Sequence, residues 1–214
     1  MDSLFRDLFQ DKRYAAELNM ALLGDKSITE KDVNIDSLQI IDEEEAAKAV
    51  AFKVKGHSVL TLAENDEIRG DMPALMFIHY TKVLDRDHHA QIFYGNTPLK
   101  LEIPVHCVFY FGDEDLEPES EMIIGKKCDG FYFGITVYNA NKIEQIPELR
   151  ECKSLLEYRR LVDTFKYYSK ILWTAEDVAD ATIKKCLAQG ILEDYLVANK
   201  DKVKTIMKDH YAEN

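Results

Sequence analysis

Hydrophobic and polar residues alternate along two neighbouring stretches, AVAFKVK, which starts at Ala49, and SVLTLA, which ends at Ala63. A period of two sends successive side chains to opposite faces of a strand, so each stretch predicts a β-strand with one apolar face. The pair Gly56-His57 interrupts the alternation and predicts a tight turn between antiparallel partners. Two acids, Glu64 and Asp66, follow the second stretch. The pattern therefore predicts a hairpin that presents two carboxylates at one edge of a sheet.

The other elements follow from the spacing of the remaining apolar residues. Continuous apolar runs predict two further strands, over 105–111 and 131–138. The run over 105–111 suits a strand at the centre of a sheet, buried on both faces. Apolar residues at helical spacing predict helices over 3–8, 14–23, about 72–86, and through most of 154–207. Polar composition predicts a turn-rich loop over 27–36 and a solvated acidic loop over 113–121.

These elements predict an α/β protein with a mixed central sheet flanked by helices. The strands all fall in the first part of the chain, and the period becomes helical after it. We therefore divide the chain into a core, 1–153, and a helical C-terminal extension, 154–214. Within the extension, Thr174 followed by Asp177 predicts a capping box at the start of a helix, and Gly190 predicts the end of that helix.

Composition narrows the class of protein. The formal net charge is -12 at pH 7, which opposes binding to nucleic acid unless a local basic groove offsets it. The four cysteines form no CxxC pair, which favours reduced thiols in a cytoplasmic protein over a disulfide frame or a zinc site; they are Cys107, Cys128, Cys152 and Cys186. No apolar run is long enough to span a bilayer, so we expect no membrane association.

Several segments, taken in order, resemble the PD-(D/E)XK nuclease family transposases, which are related to Rpn-type recombination-promoting nucleases. The likeness covers nearly the whole chain, and its segments are SLFRDLFQDKRYAAEL, ITEKDVNIDSLQ, IPVHCVFYFG, ITVYNANK, LLEYRRLVD and CLAQGILEDYLVANKDKVKTIM. The resemblance implies that residues 1–153 form a restriction-endonuclease-like core. It also implies that the hairpin acids belong to a magnesium-dependent nuclease site.

The chain departs from the family's catalytic pattern at that site. The family reads roughly N-D-V-S-F on the first hairpin strand and E-x-Q, or E-x-K in the wider superfamily, at the end of the second. This chain has KAVAF from Lys48 to Phe52 and Glu64-Asn65-Asp66. By the resemblance, Glu64 matches the retained glutamate, Ala49 removes a metal ligand, and Asp66 adds negative charge where an anionic substrate approaches. We therefore expect a catalytically inactive relative that needs no cofactor.

Two function classes remain open. The first is a binding protein that regulates or inhibits a nucleic-acid-handling protein or complex of mobile-element or phage-defence origin. Its acidic runs, 42–45 and 113–121, would suit a partner with a basic nucleic-acid channel, although solubility alone also explains such runs. The alternative is an active magnesium-dependent DNA endonuclease in which Glu64 and Asp66 hold the metal and the 42–45 acids or Lys53 complete a rearranged site. Without the resemblance, the two hairpin acids read as solvated surface residues.

The histidines and cysteines give weaker signals. The adjacent pair His88-His89 resembles a metal-ligand motif, but it lacks a suitably spaced partner and is expected in an exposed loop. His79 falls on the apolar face of a predicted helix and His106 falls within a predicted buried strand, so we expect both to be hydrogen-bonded core residues. No cysteine has a recognisable histidine and carboxylate partner, so thiol catalysis is not expected.

Overall fold

A computed structural model describes residues 1–38, 43–64, 67–96, 98–126 and 130–213. Within these ranges six strands form one mixed sheet in the order β1-β2-β3-β4-β6-β5, which confirms the α/β class. The strands are β1 Val33–Asp36, β2 Ala49–Val54, β3 His57–Glu64, β4 Ile103–Tyr110, β5 Glu119–Lys126 and β6 Phe131–Asn139. The helices are α1 Asp2–Phe9, α2 Lys12–Leu23, α3 Glu43–Lys48, α4 Met72–Tyr94, α5 Lys153–Ser169, α6 Ala175–Ala188, α7 Glu193–Ala198 and α8 Lys200–Glu213, with a 3-10 helix over Ala140–Gln145.

The predicted hairpin is β2 and β3. The two strands pair antiparallel from Ala49 opposite Leu62 to the turn. The turn residues are Lys55 and Gly56, with φ angles of 46° and 83°. Positive φ at both positions is what a two-residue hairpin turn with the correct twist requires. His57, which was expected to lie in the turn, instead begins β3.

The run 105–111 forms most of β4, as predicted. β4 pairs parallel with β3 on one side and with β6 on the other, so it lies inside the sheet. Its alternate side chains enter two different apolar clusters: Cys107 and Phe109 pack on the side of α1 and α5, whereas Val108 and Tyr110 pack on the side of α4. A strand buried on both faces reads as a continuous apolar run because neither face contacts water.

The helical extension packs on the same side of the sheet as the N-terminal helices. Phe5 of α1 is fully buried and its ring lies 5.5 Å from Tyr158 of α5 and 5.7 Å from Phe109 of β4, measured between centroids. The predicted capping box is confirmed, because Thr174 Oγ1 accepts a hydrogen bond from the backbone N–H of Asp177 at 3.1 Å. One apolar cluster thus joins α1, the sheet and the C-terminal helices.

The sequence pattern did not predict four of these elements: β1, α3, β5 and the 3-10 helix. The loop expected over 27–36 contains β1 at its end, and the helix α3 precedes the hairpin. The acidic loop expected over 113–121 is shorter, because Glu119–Lys126 is a strand. Helix α4 extends beyond Arg86 to Tyr94, and its last buried residue is Val83. The exposed final turns of α4 need no apolar face, so the hydrophobic pattern did not indicate them.

Among the described residues, no helix combines the length and apolar character that crossing a membrane requires.

Candidate functional site

Glu64 is the last residue of β3 and is 2% exposed. Its strand neighbours Leu60 and Leu62 pack in the cluster on the α4 side of the sheet, and the period of two places Glu64 on that same side. Its backbone carbonyl accepts a hydrogen bond from Phe111 N at 2.7 Å, which ties the strand end to the strand beside it. The expectation of a solvated surface acid is therefore wrong for Glu64.

The charge of Glu64 is matched by a cation from the same chain. Lys48 Nζ lies 3.4 Å from Glu64 Oε2, and the two side chains are 17% and 3% exposed. Lys48 ends α3 and Ala49 begins β2, so the short helix delivers the ammonium group to the hairpin. An isolated buried carboxylate is costly, and a paired cation offsets much of that cost.

Ala49 occupies the position at which the resemblance implies an aspartate. It is fully buried on the α4 side of the sheet, like Ala51. Ala49 is opposite Leu62, which places its methyl group beside the end of β3 that carries Glu64. Ala49 is also among the residues that line a cavity shared with Arg6 and Ser37. The alanine side chain offers no oxygen ligand.

Most of the other predicted ligands fall outside what the structure describes. Asp66 and Asp42 lie outside the described residues, as do the side chains of the other acids of the run 42–45. Lys53, which was considered as part of a rearranged site, forms ion pairs with Asp87 and Glu102. Lys53 is four residues along β2 from Ala49, and a strand rises by about 3.3 Å per residue. The expectation that Lys53 completes a site at Glu64 is therefore wrong.

We tested whether the described side chains fit a magnesium ion. Mg²⁺ requires oxygen ligands in near-octahedral geometry, and carboxylates usually provide the protein's share. In the described ranges no group of three His, Cys, Asp or Glu side chains converges closely enough to hold a metal. At the hairpin, Glu64 faces an ammonium group and Ala49 has no donor. These residues do not fit a magnesium site.

The sequence pattern did not single out Lys48. Its partner Glu64 lies 16 residues further along the chain, so no local pattern links the two residues. One signal was available: Lys48 is adjacent to Ala49, the position implied to have lost its ligand. A glutamate buried without a metal at the end of β3 would be stabilised by a cation from a neighbouring segment.

The histidines differ from their predicted settings. His88 and His89 lie within α4 and not in a loop, and His89 Nδ1 lies 2.7 Å from Asp85 Oδ1 one helical turn away. His79 is buried as predicted, at 1% exposure. His106 is also buried, but neither of its ring nitrogens has a hydrogen-bond partner among the described residues. The expectation of a hydrogen-bonded His106 is therefore wrong.

The two buried histidines lie between α4 and the sheet. The ring of His106 is 5.7 Å from Tyr80 and 5.2 Å from Phe133, measured between centroids. Burial lowers the pKa of His106 to about 3, and the neighbouring His79 acts in the same direction. Burial lowers the pKa of His79 to about 4, although Asp36 opposes this shift. Both imidazoles are therefore neutral near pH 7.

The described cysteines are free thiols in buried positions: Cys107, Cys152 and Cys186. Burial raises the pKa of Cys152 to about 12 and that of Cys186 to about 11. A thiol is nucleophilic as its thiolate, so these residues are unreactive at neutral pH. Cys128 lies outside the described residues.

The chain matches no protein-family model, no curated protein and no solved structure. Its function therefore has to be inferred from its own residues and geometry.

We expect Lys48→Met to lower the free energy of unfolding by about 3–5 kcal/mol, because it leaves the Glu64 carboxylate buried without its cation. Urea denaturation followed by circular dichroism measures this change. The matched control is Lys26→Met, which removes a pair with Glu151 whose side chains are 91% and 70% exposed; it should cost less than about 1 kcal/mol. Equal, small effects in both variants would contradict the role given to Lys48.

We also expect stability to fall in mild acid because of the buried histidines. The unfolded chain binds protons on histidine below pH about 6.5, whereas the folded pKa values are about 4 for His79 and about 3 for His106. The free energy of unfolding therefore decreases as pH falls from 6.5 toward these values.

Replacing His106 should remove its share of this pH dependence. Between pH 7 and pH 5, His106→Leu should lose less stability than the wild type by about 2 kcal/mol. Urea denaturation at both pH values gives the comparison, with the half-exposed His89→Leu as control. If His106→Leu loses as much free energy of unfolding between pH 7 and pH 5 as the wild type does, His106 is not buried as the neutral imidazole.

Proposed function

We propose that this protein has a PD-(D/E)XK nuclease-like core whose catalytic centre has been replaced by an internal ion pair. We further propose that it acts by binding, as a regulator or inhibitor of a nucleic-acid-handling protein of mobile-element or phage-defence origin. The likeness in sequence is supported by the hairpin β2–β3 and by the position of Glu64 at the end of its second strand. A mixed sheet with helices on both faces is also compatible with it.

The observation that carries the proposal is the contact between Lys48 and Glu64. In a magnesium-dependent nuclease the metal neutralises charge on the phosphate and orients the attacking water. Here the positive charge beside the retained glutamate belongs to a lysine of the same chain, and Ala49 supplies no second ligand. A lysine ammonium donates hydrogen bonds but has no coordination positions in which to place water and phosphate together.

A binding role is supported by the charge of the molecule. The formal net charge of -12 disfavours direct contact with DNA, whose phosphates are recognised mainly by lysine and arginine. The same charge favours association with a protein that carries a basic surface, such as a nucleic-acid channel. The free, unreactive thiols are compatible with the reducing cytoplasm, which we propose as its location.

Purified protein incubated with supercoiled plasmid should produce no nicked or linear DNA in Mg²⁺ or Mn²⁺, because the described residues of the hairpin do not offer a set of metal ligands. Agarose gel electrophoresis measures the products. If nicking occurs, the Glu64→Ala variant separates the protein's own activity from contamination, with the exposed Glu30→Ala as matched control. Metal-dependent nicking that persists in Glu30→Ala and disappears in Glu64→Ala would show that the protein is an active endonuclease. It would reject the proposal that the hairpin is catalytically inactive.

A further inference from the structure

Strand β5 forms one outer edge of the sheet. Among the strands that the structure describes, it pairs only with β6, along its whole length from Glu119 opposite Tyr138 to Lys126 opposite Phe131. The structure gives no backbone hydrogen bond from β5 to any other described segment. Alternate backbone N–H and C=O groups of an edge strand point away from the sheet, so β5 presents a row of free donors and acceptors.

This edge is longer and more exposed than the edge on the other side of the sheet. β1 has four residues, begins with the fully buried Val33, and ends at Asp36, which is paired with Arg86 at 3.0 Å. β5 has eight residues, and every one of them is exposed or half-buried. Met122 packs toward the cluster beneath α4, whereas the outward-facing Ile123 is 49% exposed.

The open edge is strongly acidic. Glu119 and Glu121 lie on the same face of β5 as Ile123, and both are exposed. The loop that leads into the strand carries further exposed acids, including Glu114 and Glu117. Four glutamates of this region form no salt bridge with another described residue: Glu114, Glu117, Glu119 and Glu121. We refer to residues 113–126 as the acidic edge.

The loop of the acidic edge is fixed against the core. Lys166 of α5 contacts Asp113 at 3.0 Å, and Lys142 contacts Asp115 at 2.7 Å. The backbone N–H of Glu114 donates to Tyr110 Oη at 3.0 Å, and Asn139 Nδ2 donates to the carbonyl of Leu116 at 2.8 Å. These contacts come from four other elements, α5, the 3-10 helix, β4 and β6, and keep the loop beside the first residues of β5. The unpaired acids are therefore held in place next to the open strand.

We propose that the acidic edge is a docking surface for a basic, extended segment of a partner protein, which adds to β5 as a further strand of the sheet. Backbone hydrogen bonds would supply affinity, and lysine or arginine side chains at alternate positions would pair with the unpaired glutamates. This inference rests on the proposed binding function, for which it names the surface and the chemistry of the partner. It does not depend on the ion pair at the hairpin.

The negative charge of the acidic edge favours a basic segment over two other possible occupants, a second copy of the chain and nucleic acid. Pairing of β5 with a second copy of the chain would bring together two acidic edges on chains that each carry a formal net charge of -12, and such charge opposes self-association. Glutamates on an edge strand are one means by which proteins prevent such self-pairing. Nucleic acid carries the same sign of charge as the acidic edge and would be repelled. A basic strand satisfies both features of the acidic edge, because its backbone can bond to the free groups of β5 and its cations can pair with the glutamates.

The test uses the full chain and a fluorescent twelve-residue peptide of alternating Lys and Val. The peptide should bind, measured by fluorescence anisotropy, and should slow amide hydrogen exchange in residues 119–126. Glu117→Lys/Glu119→Lys should weaken binding by about tenfold or more, because two of the paired charges are reversed. Both positions are exposed, so the fold should be retained. The control variant Glu30→Lys/Asp209→Lys changes the net charge equally at exposed positions away from β5 and should bind like the wild type.

A peptoid with the same side chains distinguishes strand addition from attraction between charges, because it has no backbone N–H groups to donate. It should bind much more weakly than the peptide. The proposal is overturned if the peptoid binds equally, if protection appears outside residues 119–126, or if the peptide does not bind below about 1 mM. It is also overturned if the wild-type chain alone forms a dimer that protects the same residues.

The peptide assay and the plasmid assay fail independently. Loss of peptide binding would remove the docking surface and leave the inactive hairpin unchanged. Plasmid nicking that requires Glu64 would reject the inactive enzyme and leave the docking surface unchanged.

Discussion

A carboxylate buried at the end of a strand constrains this structure more than any other group. Glu64 is nearly inaccessible to water, and burying a carboxylate is costly unless it is paired. The chain provides the cation from Lys48, at the junction of α3 and β2. The ion pair therefore links a short helix to the end of a neighbouring strand. It also satisfies the charge that a metal ion would satisfy in an active nuclease.

The proposed functions belong to two separate parts of one sheet. The hairpin end of the sheet is closed: its acid is buried, its neighbour Ala49 is apolar, and its charge is internally matched. The opposite margin is open, because β5 has a free edge and the acids around it are exposed. Under the proposed function, a chain without nuclease chemistry at the hairpin would keep the sheet as a rigid support for binding at β5. The loop contacts made by Lys142 and Lys166 provide part of that rigidity.

Sequence patterns predicted the elements that bury an apolar face. The hairpin, the central strand β4 and the capped helix at Thr174 all have strong periodicity or a local signal. β5 was missed because an edge strand buries little of either face, so its glutamates resemble those of a loop. The last turns of α4 were missed for a related reason, since every residue beyond Val83 is only half-buried or exposed. Local pattern does not report exposed structure.

The site was only partly predictable for a different reason. Glu64 and Ala49 were identified by resemblance to a family pattern, but burial of Glu64 and its pairing with Lys48 depend on contacts between distant segments. The same applies to His106, whose ring nitrogens lack the hydrogen-bond partners expected for a buried imidazole. Hydrophobic periodicity indicates which residues are buried. It does not indicate which polar group lies beside them.

A crystal structure determined in the presence of millimolar Mn²⁺ tests the central claim most directly, because the anomalous signal of manganese locates a bound ion without relying on activity. We predict no anomalous peak at the hairpin, with Lys48 Nζ remaining beside Glu64 Oε2. A manganese ion within about 2.3 Å of a Glu64 carboxylate oxygen, with Lys48 displaced, would show that the hairpin retains a metal site and would contradict the account.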